Sequence, residues 1–156
     1  MSISVLNINP HTTIQATHVA TSNSRPNINT DVTIFTGIVE CVFKGDASGG
    51  VTRDQLSFNL PAIESPADLR IDISSFLGAS GTVSLTSFAF DGVVNNALWA
   101  VDDTFVQLVN EDSGTGTASV QVSAALAVRG ANGVILRVNY TVFVRTTSGQ
   151  IVVIAK

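Results

Sequence analysis

The chain has 156 residues, and its 12 acidic and 8 basic side chains give a net charge of −4. Charged residues make up 13% of the chain, about half the usual share in globular domains. The bases are scattered rather than clustered, so the chain lacks the cationic surface that neutralises phosphates and nucleic acid is not an expected partner. No apolar run approaches the ~18 residues that indicate a membrane-spanning helix.

The first ten residues, MSISVLNINP, contain no basic region and no continuous apolar core. They therefore do not resemble a secretory signal. The neutral polar composition is compatible with an extracellular or virion protein, and the sequence assigns no compartment.

Short β-branched segments follow one another along the chain, separated by turn residues such as Gly, Asn, Asp and Pro. The predicted strands lie near 3–8, 12–20, 31–43, 54–60, 82–90, 96–101, 104–110, 119–129, 134–145 and 150–155. Val, Ile and Thr supply close to a third of all residues, a composition typical of strands. We predict one all-β domain over residues 1–156, a two-sheet antiparallel β-sandwich of jelly-roll or immunoglobulin-like type with at most one short helix.

The segment 31–43 is apolar at both odd and even positions. A central strand that is covered on both faces has this pattern, and so does a strand with one face in an interface between subunits. Cys41 lies in this segment and is the only cysteine of the chain. We interpret it as a small buried apolar residue and not as a nucleophile.

Residues 66–77 fit two structures. Ser65, Pro66 and Asp68 resemble the start of a helix, and Leu69, Ile73 and later apolar residues share one helical face. Leu69, Ile71 and Ile73 also alternate with polar residues, as they do in a strand. The β-branched side chains favour the strand. In the next strand, Val83 and Leu85 occupy one phase and the following phenylalanines the other, which predicts a bulge.

The most regular alternation lies near the C-terminal end. Apolar residues occupy every second position of 119–129 and of 134–145, so each strand should bury one face. The apolar positions include Val122, Leu126, Leu136, Val138 and Val142. Because the link 130–133 is rich in Gly and Asn, the pattern predicts that the two strands pair as a hairpin.

Five acidic residues lie in or beside predicted loops: Asp91, Asp102, Asp103, Glu111 and Asp112. Calcium prefers six to eight oxygen ligands, which loops of β-sandwiches can supply. Asp also starts turns by accepting hydrogen bonds from nearby backbone groups. Turn formation is the simpler interpretation, calcium binding is the alternative, and no other cofactor is predicted.

Trp99 is the only tryptophan, and Asn95 and Asn96 stand just before it. A flat ring stacks on sugars while amides bond to hydroxyl groups, so these three residues form a candidate glycan-binding site. The competing interpretation is that Trp99, flanked by apolar residues, packs in the core or in an interface.

The composition favours a non-catalytic structural or interaction module. Few Lys and Glu residues are present to block association between sheets, which predicts a homo-oligomer, as in subunits of virions, appendages or adhesins. A carbohydrate-binding module or lectin, with or without calcium, is the second hypothesis. An enzyme is the third, because no nucleophile elbow or phosphate-binding motif is present and a site would have to be assembled in space.

Overall fold

The structure is a computed structural model that describes residues 3–20, 28–43, 50–61, 68–90, 98–129 and 134–147. Two antiparallel sheets pack against each other, which confirms the predicted all-β sandwich. The eight strands are β1 (Ile3–Ala20), β2 (Ile28–Phe43), β3 (Val51–Asn59), β4 (Arg70–Asp72), β5 (Phe76–Phe90), β6 (Leu98–Asp112), β7 (Thr117–Arg129) and β8 (Val134–Thr146). The single helix of these ranges is a 3-10 turn at Ile73–Ser75.

Sheet A has the strand order β1-β2-β8-β5. In sheet B, β7 lies in the middle, with β6 along one edge and β3 and β4 along successive parts of the other edge. Strands from the two ends of the chain thus lie side by side, β2 with β8 and β3 with β7.

The core lies between the two sheets and is almost entirely aliphatic. Alternate residues of β7 and β8 supply much of it: Val120, Val122, Ala124, Leu126, Val128, Leu136, Val138, Tyr140, Val142 and Val144. Phe58 of sheet B meets Tyr140 of sheet A with ring centroids 5.3 Å apart. The predicted core positions of these two strands are therefore confirmed, because the period of two places every second side chain on the buried face.

The predicted pairing of β7 with β8 is wrong. β7 pairs with β3, β4 and β6, whereas β8 pairs with β2 and β5 in the other sheet. The two strands face each other across the core instead of sharing hydrogen bonds. The alternation of apolar and polar residues shows which face of a strand is buried. Two strands that pair within one sheet and two strands that lie in opposed sheets have the same alternation, so it does not identify the partner of a strand.

The backbone also shows the outcome of two further predictions, for the segment 66–77 and for the bulge in β5. Residues 70–72 form a strand in which Ile71 is fully buried, so the strand interpretation of this segment is correct until the 3-10 turn begins at Ile73. The bulge predicted in β5 is present as a register shift between Leu85 and Ser87. The predicted strand at 150–155 lies outside the described residues.

The four segments predicted as separate strands at 3–8, 12–20, 96–101 and 104–110 form only two. β1 is continuous through register shifts at Val5/Asn7 and Pro10/Thr12, and β6 is continuous through a shift at Val101/Asp103. A bulge adds one unpaired residue and changes the phase of the alternation. In the sequence this change looks like the end of one strand and the start of another.

Candidate functional site

Four of the five predicted calcium ligands form two separated pairs. Asp102 and Asp103 lie near the start of β6, and Glu111 and Asp112 lie at its end. Eight residues of extended chain place the two pairs about 27 Å apart, so one ion cannot contact both. In the described ranges, no three His, Cys, Asp or Glu residues are grouped to hold a metal. Asp91 lies outside these ranges, and calcium binding stays a prediction.

Three of these four acids accept hydrogen bonds within the protein. Asp102 accepts from Nε of Arg53 at 3.2 Å, and Asp103 accepts from the backbone N–H of Thr104 at 2.8 Å. Asp112 accepts from the backbone N–H of Gly114 at 2.9 Å. This bond and a further one from Thr115 lower the pKa of the Asp112 carboxyl.

The turn between β6 and β7 is closed by the same aspartate. The N–H of Gly116 donates to the carbonyl of Asp112 at 2.8 Å. Gly116 has a φ of +66°, a left-handed conformation that glycine adopts without steric cost. At Asp112 the structure therefore shows turn formation, which was the simpler of the two interpretations of this residue.

Of the predicted glycan-binding residues, Asn95 and Asn96 lie outside the described residues. Trp99 belongs to β6, where its backbone is in register with Val128 of β7. The predicted sugar site at these three residues is therefore neither assembled nor excluded by the described part of the chain.

Cys41 is fully buried on the core side of β2. Burial, together with the nearby Glu40 charge, raises the pKa of its thiol to about 11. A thiol with this pKa stays protonated near neutral pH, and the thiolate is the nucleophilic form. The interpretation of Cys41 as a packing residue is confirmed.

The outward side of sheet A, here called face A, is rich in apolar side chains. Ile135 and Phe143 of β8 are 36% and 38% exposed. Four apolar residues of β2 are partly buried beside them: Val32, Ile34, Ile38 and Val42. Ile34 is directly opposite Phe143, and Val42 is opposite Ile135.

Polar groups occupy the rest of face A. Glu40 and Arg137 form an ion pair of 2.7 Å between β2 and β8. Ser80, Thr82 and Ser84 present hydroxyl groups on β5. At the end of the face near Phe143, a hollow of about 370 Å³ is lined by Val32, Gly78, Ala79, Ser80, Phe143 and Arg145.

The outward side of sheet B, here called face B, is mainly polar. Its members are Val51, Arg53, Gln55, Ser57 and Asn59 of β3, Gln121, Ser123, Ala125, Ala127 and Arg129 of β7, and Asp102, Asp103, Phe105 and Gln107 of β6. The central strand carries small side chains here. Phe105 is 42% exposed and stands among them.

Sequence reasoning missed Phe105, although a signal for it was present. In β6, Val106 and Leu108 pack against the core, while Phe105 shares the opposite phase with Asp103 and Gln107. An aromatic residue on the polar phase of an amphipathic strand is an exposed ring.

The structure thus defines a protein of the all-β sandwich class with two chemically different outer faces. Its described ranges contain no helix that is long and apolar enough to cross a membrane. Comparison with known protein families, with curated proteins and with solved structures gives no match.

Proposed function

We propose that the protein is a non-catalytic structural module that associates with a second copy of itself through face A. The observation that supports this proposal is the apolar content of a sheet face that the described part of the chain leaves uncovered. Six residues contribute to it: Val32, Ile34, Ile38, Val42, Ile135 and Phe143. Contiguous apolar patches of this kind are uncommon on monomers and are typical of interaction sites.

The size of face A suits a stable dimer. The stretch over which β8 pairs with its neighbours is about 13 residues long, and four strands of this length cover roughly 800 Å² at the usual strand spacing and rise. A standard protein–protein interface buries about 800 Å² on each partner. A face-to-face dimer through sheet A therefore needs no other part of the molecule.

A two-fold axis brings the same patch of both copies together. Among the described residues, face A carries the acid Glu40 and the bases Arg137 and Arg145, so each copy presents charges of both signs to the other. The hollow beside Gly78 offers room for an apolar side chain of the second copy. These features favour a second copy over an unrelated partner.

The proposal is tested by light scattering coupled to size-exclusion chromatography over a range of protein concentrations. The wild type should elute with a multiple of the chain mass of 16.3 kDa. The double variant Ile135→Glu/Phe143→Glu should elute as a monomer, because two carboxylates in the interface lose their hydration and repel those of the other copy.

Phe105→Glu is the control on the other sheet, since it places a carboxylate at a similarly exposed phenylalanine on face B. This control should keep the mass of the wild type, and circular dichroism should show that all variants remain folded. A wild type that is monomeric at every concentration contradicts the proposal. So does a control that dissociates as fully as the double variant.

A further inference from the structure

Phe105 is an exposed ring in a polar setting. Its side chain is 42% exposed, and it lies directly opposite Ser123, which is buried under its neighbours. Ala125 is the next outward residue of β7. Because these side chains are small, they leave part of the ring exposed to solvent and accessible to a ligand.

Hydrogen-bonding groups surround the ring on two sides. Gln107 is the next residue of β6 on the same face as Phe105, and its Nε2 donates to Oε1 of Gln121 at 3.1 Å. The hydroxyl groups of Ser57 and Ser123 are 2.9 Å apart, across the sheet from the ring. The bond between the two glutamines uses only part of the capacity of each amide, so Oε1 of Gln107 and Nε2 of Gln121 supply an acceptor and a donor for a ligand.

The arginines of sheet B that surround this area already have partners. Arg53 pairs with Asp102 at 3.2 Å, and Arg70 donates to Thr117 and Ser119. Asp103 adds an exposed carboxylate two residues from the ring. An anionic ligand would therefore meet a carboxylate and no cation free of a partner among these residues, which favours a neutral ligand.

We propose that face B binds a neutral oligosaccharide, with one sugar ring stacked on Phe105. A pyranose has an apolar C–H face and a rim of hydroxyl groups, each of which is both donor and acceptor. The spacing of two residues along β6, about 7 Å, lets one sugar unit lie on the ring while its hydroxyls reach Gln107 and Gln121. The continuous polar surface along sheet B suits an extended chain of sugars.

This site is independent of the proposed association, because it lies on the other sheet. It also differs from the site predicted around Trp99, Asn95 and Asn96, since it uses none of these three residues. Its ligand is recognised by stacking and by neutral hydrogen bonds, and it requires no metal ion.

The test is calorimetric titration of the full chain with cellohexaose, xylohexaose, maltohexaose and mannohexaose, with hexagalacturonate as the anionic probe. The wild type should bind at least one neutral hexasaccharide. Phe105→Ala should weaken that binding at least tenfold, and Phe105→Trp should preserve it because the stacking surface remains. Gln107→Ala should weaken binding by a smaller factor.

Phe143→Ala is the matched control, since it removes a similarly exposed phenylalanine from face A and should leave the affinity unchanged. Light scattering on the same samples separates this proposal from self-association. A monomeric wild type that binds a sugar supports the site and contradicts the proposed function. The site is overturned if no neutral sugar binds at millimolar concentration, if hexagalacturonate binds most tightly, or if Phe143→Ala loses as much affinity as Phe105→Ala.

Discussion

Within the described part of the core, Cys41 and Tyr140 are the two buried side chains that can lose a proton. Burial raises the pKa of the Cys41 thiol to about 11, with a smaller contribution from Glu40. Burial alone raises the pKa of the Tyr140 hydroxyl to about 12. Both groups are neutral near pH 7 and help to fill an apolar interior.

These raised pKa values predict how the free energy of unfolding depends on pH. Below pH 9 the Cys41 thiol is protonated in both states and has no effect. Between pH 9 and 11 the unfolded chain releases this proton while the folded protein keeps it, so the stability falls as pH rises. A tenfold difference in proton affinity corresponds to about 1.4 kcal/mol. The raised pKa of Cys41 therefore lowers the free energy of unfolding by about 2–3 kcal/mol over this range. Tyr140 lowers it further from near pH 10 upward.

Urea unfolding of the wild type and of Cys41→Ala at several pH values measures this effect. The variant is less stable at pH 7 because it leaves a cavity. Its stability should nevertheless stay constant up to about pH 10, where Tyr140 begins to titrate. An identical decline of both proteins between pH 9 and 10 would contradict the assignment to Cys41.

Substitutions at Leu136 and Thr141 test which face of β8 is buried. Leu136 is 2% exposed and belongs to the core, while Thr141 is on the outward side. Leu136→Ala should lower the free energy of unfolding by about 2–5 kcal/mol, and Thr141→Ala should change it by about 0.5 kcal/mol or less. Denaturant melts of both variants decide this, and equal losses would show that the faces are wrongly assigned.

At the scale of the elements, β5 of sheet A lies against β6 of sheet B near Gly81. A Cβ atom at Gly81 of β5 would lie 3.0 Å from the carbonyl oxygen of Thr141, 3.0 Å from Cγ2 of Val106 and 3.2 Å from Cγ2 of Val142. The backbone oxygen belongs to the paired strand and cannot move aside without disturbing sheet A. The lack of space, and not the backbone conformation, therefore favours glycine at this position.

Gly81→Ala should destabilise the protein by about 1–3 kcal/mol, the usual result of overpacking. The matched control is Gly114→Ala in the exposed β6–β7 turn, where the nearest atom is a carboxylate oxygen of Asp112 at 3.3 Å. Thermal melting of both variants should show a larger shift for Gly81→Ala. If Gly81→Ala were as stable as the wild type, the two sheets would have to separate easily along this edge.

The local pattern predicted the elements better than their partners. The alternation in β7 and β8 identified the buried residues correctly, because burial depends only on which phase is apolar. The same alternation could not show that β7 pairs with β3 and β6, since partners are chosen by contacts between segments far apart in the chain. Bulges also misled the prediction of strand bounds, because they made the continuous strands β1 and β6 look interrupted.

At the scale of the whole molecule, the composition and the spacing of turn residues together predicted the fold class. Abundant β-branched residues and frequent turn signals leave few alternatives to a sandwich. The candidate surfaces were harder to predict, because each is assembled from several strands. Face B combines Phe105 with Gln121 and Ser57, which come from three different strands, and no local motif marks that combination.

The pairing of β2 with β8 also has a consequence for synthesis of the chain. Residues 31–43 can pair with β1 as soon as they are made, but their second partner, residues 134–146, follows much later. Translation at 5–20 residues per second needs about 5–20 s to cover that distance. Throughout this interval β2 has an open edge, and β1 beside it contains no Asp, Glu, Lys or Arg that would discourage pairing between nascent chains. The yield of soluble protein should therefore depend on how fast the ribosome reads the middle of the message.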